Sequence, residues 1–473
     1  MEKTIKTKYN QTEKMGKMPV GKLLFNMSLP AIFAMLIQAL YNIVDSIYVS
    51  RITVGSEAEI TALNYAFPLQ MIMMAFAFGV GIGTNSLIAR RLGEKKTDEA
   101  SNAAKTGFVL VIICYAAFLI LSFFLPQLFL KIYHIDSLEI EQMATSYLSI
   151  VMAFSFGMFI ETTANKILQS TGDMKTPMFT LLLGAITNIV LDPIFIFKPY
   201  EGIGLPFGLG LGVAGAAIAT VIAQIAAAVF ALLVLLFRKH AIKVDFKPFK
   251  IHKNTVVEII RVGISVTIMN SINAITTIIL NTILTKSGVT VLGVYFKIQS
   301  FIFMPVFGLT QGALPILGYN YGAREEHRFR KAFFYSTGFA LTIMIIGLIL
   351  FQTIPGPILG MFDLSDSLDL GMRAIRIMSI CFIPAALSIV ISTMFQAIGH
   401  GVKSMLMSLA RQLIVLIPCA FIIKTLTKTD NYIWWSYPIA EIACCAVFIP
   451  IALITIKKIF TSKDPEITPL SKV

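Results

Sequence analysis

Gly83-Thr-Asn-Ser-Leu-Ile-Ala-Arg-Arg-Leu-Gly93-Glu-Lys-Lys is written a second time, in altered form, as Gly312-Ala-Leu-Pro-Ile-Leu-Gly-Tyr-Asn-Tyr-Gly322-Ala-Arg-Glu. Both copies keep a ten-residue step between glycines, and they stand 229 residues apart (Gly83 to Gly312, Gly93 to Gly322). Two further pairs hold nearly the same register. Gln169-Ser-Thr-Gly172 and Gln396-Ala-Ile-Gly399 are each followed by a lysine and a hydroxyl residue, Lys175-Thr176 and Lys403-Ser404. Ile189-Val-Leu-Asp-Pro193 matches Ile414-Val-Leu-Ile-Pro418 except at the acid. The chain is therefore an internal duplication.

What is duplicated is a set of membrane helices. With 56% hydrophobic and 14% charged residues over 473 positions, and a mean hydropathy of +0.79, the composition excludes a soluble domain. Apolar segments at 23-50, 59-87, 103-129, 141-168, 176-198, 212-237, 255-284, 291-319, 331-354, 368-397, 404-427 and 432-457 are each long enough to cross a bilayer. This gives an all-α polytopic membrane protein of twelve transmembrane helices in two six-helix lobes. An even number per copy makes both copies enter the membrane in the same direction, so a pseudo-two-fold axis along the membrane normal relates them. The expected divisions are a basic tail, 1-22, free or forming a short surface helix; an N-terminal lobe, 23-237; a linker, 238-254; a C-terminal lobe, 255-457; and a tail, 458-473.

The 39 Lys and Arg against 26 Asp and Glu are a topology signal. They gather before the first segment, in the even-numbered loops and in the tail, which places both termini in the cytoplasm of a multi-pass cell-membrane protein. That distribution argues against nucleic acid and makes the lipid bilayer the partner. The first segment is too long for a signal-peptide core and is expected to stay as a helix. Cys114, Cys381, Cys419, Cys444 and Cys445 lack metal-ligand spacing, and the five histidines lie in or near loops, so no metal site and no cofactor is expected. No Gly-x-x-x-x-Gly-Lys-Ser/Thr sequence appears, which excludes a self-contained ATP-driven pump.

The residues that carry chemistry are polar groups inside apolar helices, which are functional by default. Asn188 and Asp192, i and i+4 in the fifth segment, place an amide and a carboxyl on one helix face, and Pro193 loosens the backbone beside them. Gln38, Tyr41, Asn42 and Asp45 form a stripe on the first segment that must face a bundle interior or a watered cavity. The second half keeps neither acid: Asp192 becomes Ile417, and Asp45 becomes Leu280 if Pro30 is set against Ser265. Ionic work falls to the N-terminal half. Lys297 reads as buried, either paired, snorkelling or lining a cleft, while Glu161 and Glu441 are acids whose partners the sequence leaves open. Met71, Met73, Met74, Phe76 and Phe78 either offer soft walls to a cargo or pack in the core. Glu258 and Arg261 read as surface residues at a helix end, and Gly93 and Gly322 as turn residues.

The duplicated plan, Tyr41-Asn42-Ile-Val-Asp45-Ser-Ile-Tyr-Val, the Gly83 to Gly93 stretch, Gln169-Ser-Thr-Gly-Asp-Met-Lys-Thr-Pro177, and Asn188 to Pro193 followed by Val213-Ala-Gly-Ala-Ala-Ile-Ala-Thr220 together resemble the multidrug and toxic compound extrusion (MATE) family, in its DinF- and MepA-like branch. The resemblance covers nearly the whole chain. It implies the MOP/MATE fold, with two lobes flanking a central cleft, and a monomer acting as a secondary active antiporter. That antiporter would export hydrophobic organic cations in exchange for H+ or Na+ by alternating access. It further implies a cation or proton-coupling site at Asp45, Asn165, Asn188, Asp192 and Thr220, with Na+ taken, if at all, at Asp45, Asn188 and Asp192. Where another branch carries a glutamate in the seventh helix this chain has Asn273, which puts a C-terminal sodium site in doubt. With Gln38, Tyr41, Asn42 and Lys297, Asn273 is a candidate polar residue of the cleft. The rival readings are a flippase for lipid-linked oligosaccharides or other lipids of the same superfamily and, more remotely, an intramembrane enzyme.

Overall fold

A chain immersed in hydrocarbon has to satisfy its backbone groups internally, so apolar segments of this length fold as helices. The computed structural model describes residues 12–49, 58–133, 135, 137–200, 206–238, 240–244, 249–360 and 368–461, apart from the side chains at 41–43, 45–47, 49, 60 and 286. Among the described residues every regular element is a helix. A short helix α1 (Glu13–Lys17) precedes the N-terminal lobe, made of α2 (Val20–Val49), α3 (Ala58–Gly93), α4 (Thr97–Leu121), α5 (Leu125–Leu130), α6 (Leu138–Ala153), α7 (Phe156–Ser170), α8 (Lys175–Ile196) and α9 (Gly212–Phe237). The C-terminal lobe follows as α10 (Lys253–Ile283), α11 (Lys286–Gly322), α12 (Glu326–Thr353), α13 (Pro355–Leu359), α14 (Leu368–Ser379), α15 (Phe382–Ala397), α16 (Gly401–Leu409), α17 (Ile417–Thr427) and α18 (Ser436–Thr461).

Among the described residues ten helices are long and apolar enough to cross a membrane, and two bent pairs, α6 with α7 and α14 with α15, bring the spans to twelve. Each pair turns by 49° at the same place in its lobe. A hydroxyl sits at each break and bonds back into the preceding turn: Ser155 Oγ donates to Met152 O at 2.8 Å, and Ser379 Oγ to Arg376 O at 3.0 Å. Such back-bonding competes with the helix ladder and bends it. The third span ends at Leu121, short of the expected 129, because Pro126 lies in the first turn of a separate helix, α5. A π-helical stretch, Ala410–Leu416, joins α16 to α17 within the eleventh span.

The repeated glycines are crossing points and not turn residues. Gly93 and Gly322 end α3 and α11, and the left-handed turn residues come two positions later, at Lys95 (φ 61°) and Arg324 (φ 57°). A Cβ on Gly93 would lie 2.0 Å from Tyr319 O, and one on Gly322 would lie 2.1 Å from Arg90 O. Arg90 and Tyr319 stand in the same 229-residue register, so this crossing is its own image under the duplication. The pseudo-two-fold axis runs between α3 and α11. A second mirrored pair lies deeper, where Gly83 meets Ile259 O and Gly263 N of α10 and Gly312 meets Ser28 of α2.

All of these contacts gather toward the end of the molecule where α3 and α11 finish and α2 and α10 begin, the face that carries the basic segments. Polar contacts close the same face. Glu258 of α10 is held by Arg90 Nη1 at 3.0 Å and Arg91 Nη2 at 2.8 Å, both from α3, so it is an inter-lobe latch and not the surface acid expected from its place near a helix end. Ser86 Oγ donates to Gln396 O at 2.6 Å. α1 lies across the seam with Met15 fully buried; Thr12 Oγ1 donates to Thr171 O in the N-terminal lobe, and Arg328 Nη2 of the C-terminal lobe donates to Met15 O and Met18 O.

His400, in the turn between α15 and α16, is part of this closure. Burial, followed by the charges of Lys403, Arg90 and Arg261, pushes its pKa down to about 4. The unfolded histidine, with an ordinary pKa of about 6.5, binds a proton that the folded one refuses, so stability is lost as pH falls from about 6.5 toward 4. A melting series over that window is expected to fall less steeply for His400→Gln than for the parent. Parallel curves would remove the histidine from the account.

A polar cavity in the N-terminal lobe as the candidate functional site

Among the described residues, five helices of the N-terminal lobe and one of the C-terminal lobe line a partly open cavity of about 160 Å³. α7 builds one wall. Glu161, Asn165 and Gln169 recur at four-residue steps, which places them on one helix stripe, and Lys166 stands beside them. Asn188 comes from α8, Thr220 and Gln224 from α9, Gln38 from α2 and Gln311 from α11. The apolar lining is soft: Met35, Met74, Met158 and Phe78.

At one side of the cavity Asn188 Nδ2 donates to Asp192 Oδ1 at 3.2 Å and to Thr220 Oγ1 at 3.3 Å. Asp192 is fully buried one helical turn beyond Asn188, and Asn188 and Thr220 are buried with it. Asn188 Oδ1 has no hydrogen-bond partner among the described residues. On α7 Asn165 Nδ2 donates to Glu161 Oε1 at 3.3 Å. Near the seam Lys166 Nζ donates to Gln169 Oε1 at 3.1 Å and to Gln311 Oε1 at 3.0 Å, and Gln169 Nε2 donates to the same Gln311 oxygen at 3.2 Å. This amide group joins the two lobes at the cavity edge.

The structure thus gathers Gln38, Asn165, Asn188 and Thr220 around one cavity, with Asp192 reached through Asn188. Asp45, Tyr41 and Asn42 lie on α2, but their side chains fall outside those described. Two expected cleft residues do not join this group. Lys297 is exposed on α11, not buried as the apolar run around it suggested. Asn273 is exposed on α10 and accepts from Gln412 Nε2 at 2.7 Å, away from the cavity. Glu441 pairs with Arg411 at 2.9 Å and accepts from Ser388 Oγ, all within the C-terminal lobe. Of the aromatic and methionine residues of α3, Met74 and Phe78 line the cavity, Met73 is core and Phe76 faces outward.

Glu161 had no partner assigned by sequence, and Lys166, Gln169, Gln224 and Gln311 were missed as site residues. The α7 stripe is visible as a period of four; Gln311 has no sequence signal, since only tertiary packing brings it across the seam.

Two pseudo-symmetric six-helix lobes, an inter-lobe seal at one face and a buried polar cavity define a polytopic membrane transporter. The chain belongs to the MatE family, whose profile matches residues 30–194 and 262–422, one stretch in each lobe. It is similar to the multidrug export protein MepA of Staphylococcus aureus (strain MSSA476), 25% identical over 442 residues, covering 90% of this chain and 92% of that one. It is also similar to the FAD transporter of Shewanella oneidensis, 25% identical over 417 residues, covering 85% and 88%. Among solved structures, a MOP superfamily transporter from Pyrococcus furiosus superposes with a TM-score of 0.89 at 25% identity, covering 96% of this chain and all of the other. The chain is a transporter and not an enzyme.

Proposed function

We propose that the protein exports amphipathic organic cations, as a multidrug antiporter, in exchange for protons. The observation that carries this reading is a pair of acids at the cavity of the N-terminal lobe, Asp192 buried behind Asn188 and Thr220, and Glu161 in the cavity lining. Burying an ionised carboxylate costs on the order of several kcal/mol, so the lobes exchange faces readily only when the acids are neutralised. A proton or a cationic cargo does this equally well, and the two compete. Competition is the coupling: each change of face carries one or the other.

The choice of proton over sodium rests on the direction of the Asn188 amide. Its N–H groups point at the two oxygens that would otherwise face a metal ion, and they fill that space with hydrogen bonds. A sodium ion needs oxygen ligands there. Rotating the amide by half a turn would supply one, which is the geometry a sodium-coupled cycle would use. With the basic face set in the cytoplasm by the positive-inside rule, the Glu258 latch and the glycine crossings close the cavity from the cell interior.

Transport in proteoliposomes tests the reading, with an imposed proton gradient, an imposed sodium gradient or neither. Ethidium-like dyes are expected to move against their gradient only when protons run the other way. The panel includes FAD, the cargo named for the Shewanella relative, and lipid-linked sugars. Driven movement of either of these without the dyes would replace the proposal.

A further inference from the structure

The acid network leaves a buried cation unexplained. Lys166 is 6% exposed, yet among the described residues no carboxylate lies within 4 Å of its ammonium group. Its two hydrogen bonds go to the neutral side-chain oxygens of Gln169 and Gln311, which leaves the third N–H of the ammonium unassigned. Burying an ammonium with only neutral acceptors costs on the order of several kcal/mol, whereas a carboxylate accepting from it makes a charge-assisted bond roughly twice as strong as a neutral one. Glu161 cannot be that carboxylate in this state, because it is engaged by Asn165 and makes no ion pair with Lys166.

We infer that Lys166 is an anion-recognition point in the cargo cavity, and that the preferred cargo is an amphipathic zwitterion: a cationic end held toward Glu161, a carboxylate at Lys166 and an apolar body against Met74, Phe78 and Met158. Both side chains line the same cavity, from positions five apart on α7. The inference rests on the drug-export reading and narrows it, since a simple cation would leave Lys166 with neutral partners only.

Two dyes that differ by one ester test this. Rhodamine 110 carries a free carboxylate and rhodamine 123 is its methyl ester; binding of each to the purified transporter is followed by fluorescence anisotropy. The readout is the ratio of the two affinities. In the parent the zwitterion is expected to bind at least as tightly as the ester, and Lys166→Gln is expected to lower the ratio roughly tenfold, the loss of one charge-assisted hydrogen bond. Lys166→Arg should restore much of it. An unchanged ratio in Lys166→Gln, with ester binding still measurable, overturns the inference and leaves drug export standing. Failure of the folded parent to bind either dye overturns both.

Discussion

Asp192→Asn is expected to reduce proton-driven export to the rate of empty liposomes, a fall of roughly tenfold or more, while the protein still inserts, folds and binds dye. The substitution is nearly isosteric. Its remaining carbonyl oxygen still accepts from Asn188 Nδ2, so the 3.2 Å contact and the link onward to Thr220 survive. What is lost is the titratable charge. With that charge gone, the lobes change face whether or not a proton or a cargo is aboard, and the gradient no longer does work. Because the contacts with Asn188 and Thr220 survive, the melting temperature should hold within about 4 °C. Asp45→Asn, on the α2 stripe, is expected to uncouple in the same way. A collapse of melting in Asp192→Asn would reveal a structural acid, and intact coupling in both variants would remove the aspartates from the cycle.

The fold was legible because both of its signals are strong ones. Apolar runs of membrane length admit almost one solution in lipid, and a repeated glycine pair fixed how two copies are related. What the repeat did not reveal was why the glycines recur. Read locally, Gly93 and Gly322 suggest turns; only the packed molecule shows them facing Tyr319 O and Arg90 O across the two-fold.

The site was legible in part, for a similar reason. Asn188 and Asp192 stand out as polar residues in an apolar helix, Thr220 enters only through the family resemblance, and the structure places the three together. Lys166 and Gln169 are also polar and buried, but they lie near the basic-face end of α7, where the sequence places ordinary surface polarity. Lys297 misled in the opposite sense: surrounded by apolar neighbours, it is nonetheless exposed. Hydropathy reports depth in the membrane, whereas a site is set by azimuth around each helix, and azimuth is fixed by neighbours on other chain segments.

Gly93→Val carries the largest conformational effect. Its Cβ would begin 2.0 Å from Tyr319 O and 2.8 Å from Ala323 N, both backbone atoms that no rotamer change can move. The two helices have to separate by more than an ångström, and the Arg90 and Arg91 bridges to Glu258 one turn away are strained with them. Overpacking of this kind costs about 1–3 kcal/mol, here levied on the closed basic face alone, because the crossing exists only there. A bias of that size shifts the balance between faces by roughly 5–150-fold. Nitroxides at Asp98→Cys and His327→Cys, exposed positions on either side of the seam in a cysteine-free background, should report it as a longer and broader distance distribution. Gly322→Val, the symmetry-related change, should give the same shift, since its Cβ meets Arg90 O at 2.1 Å. If both variants kept the parent's distance and driven export, the crossing would be a static weld, and the hinge between the lobes would have to lie elsewhere.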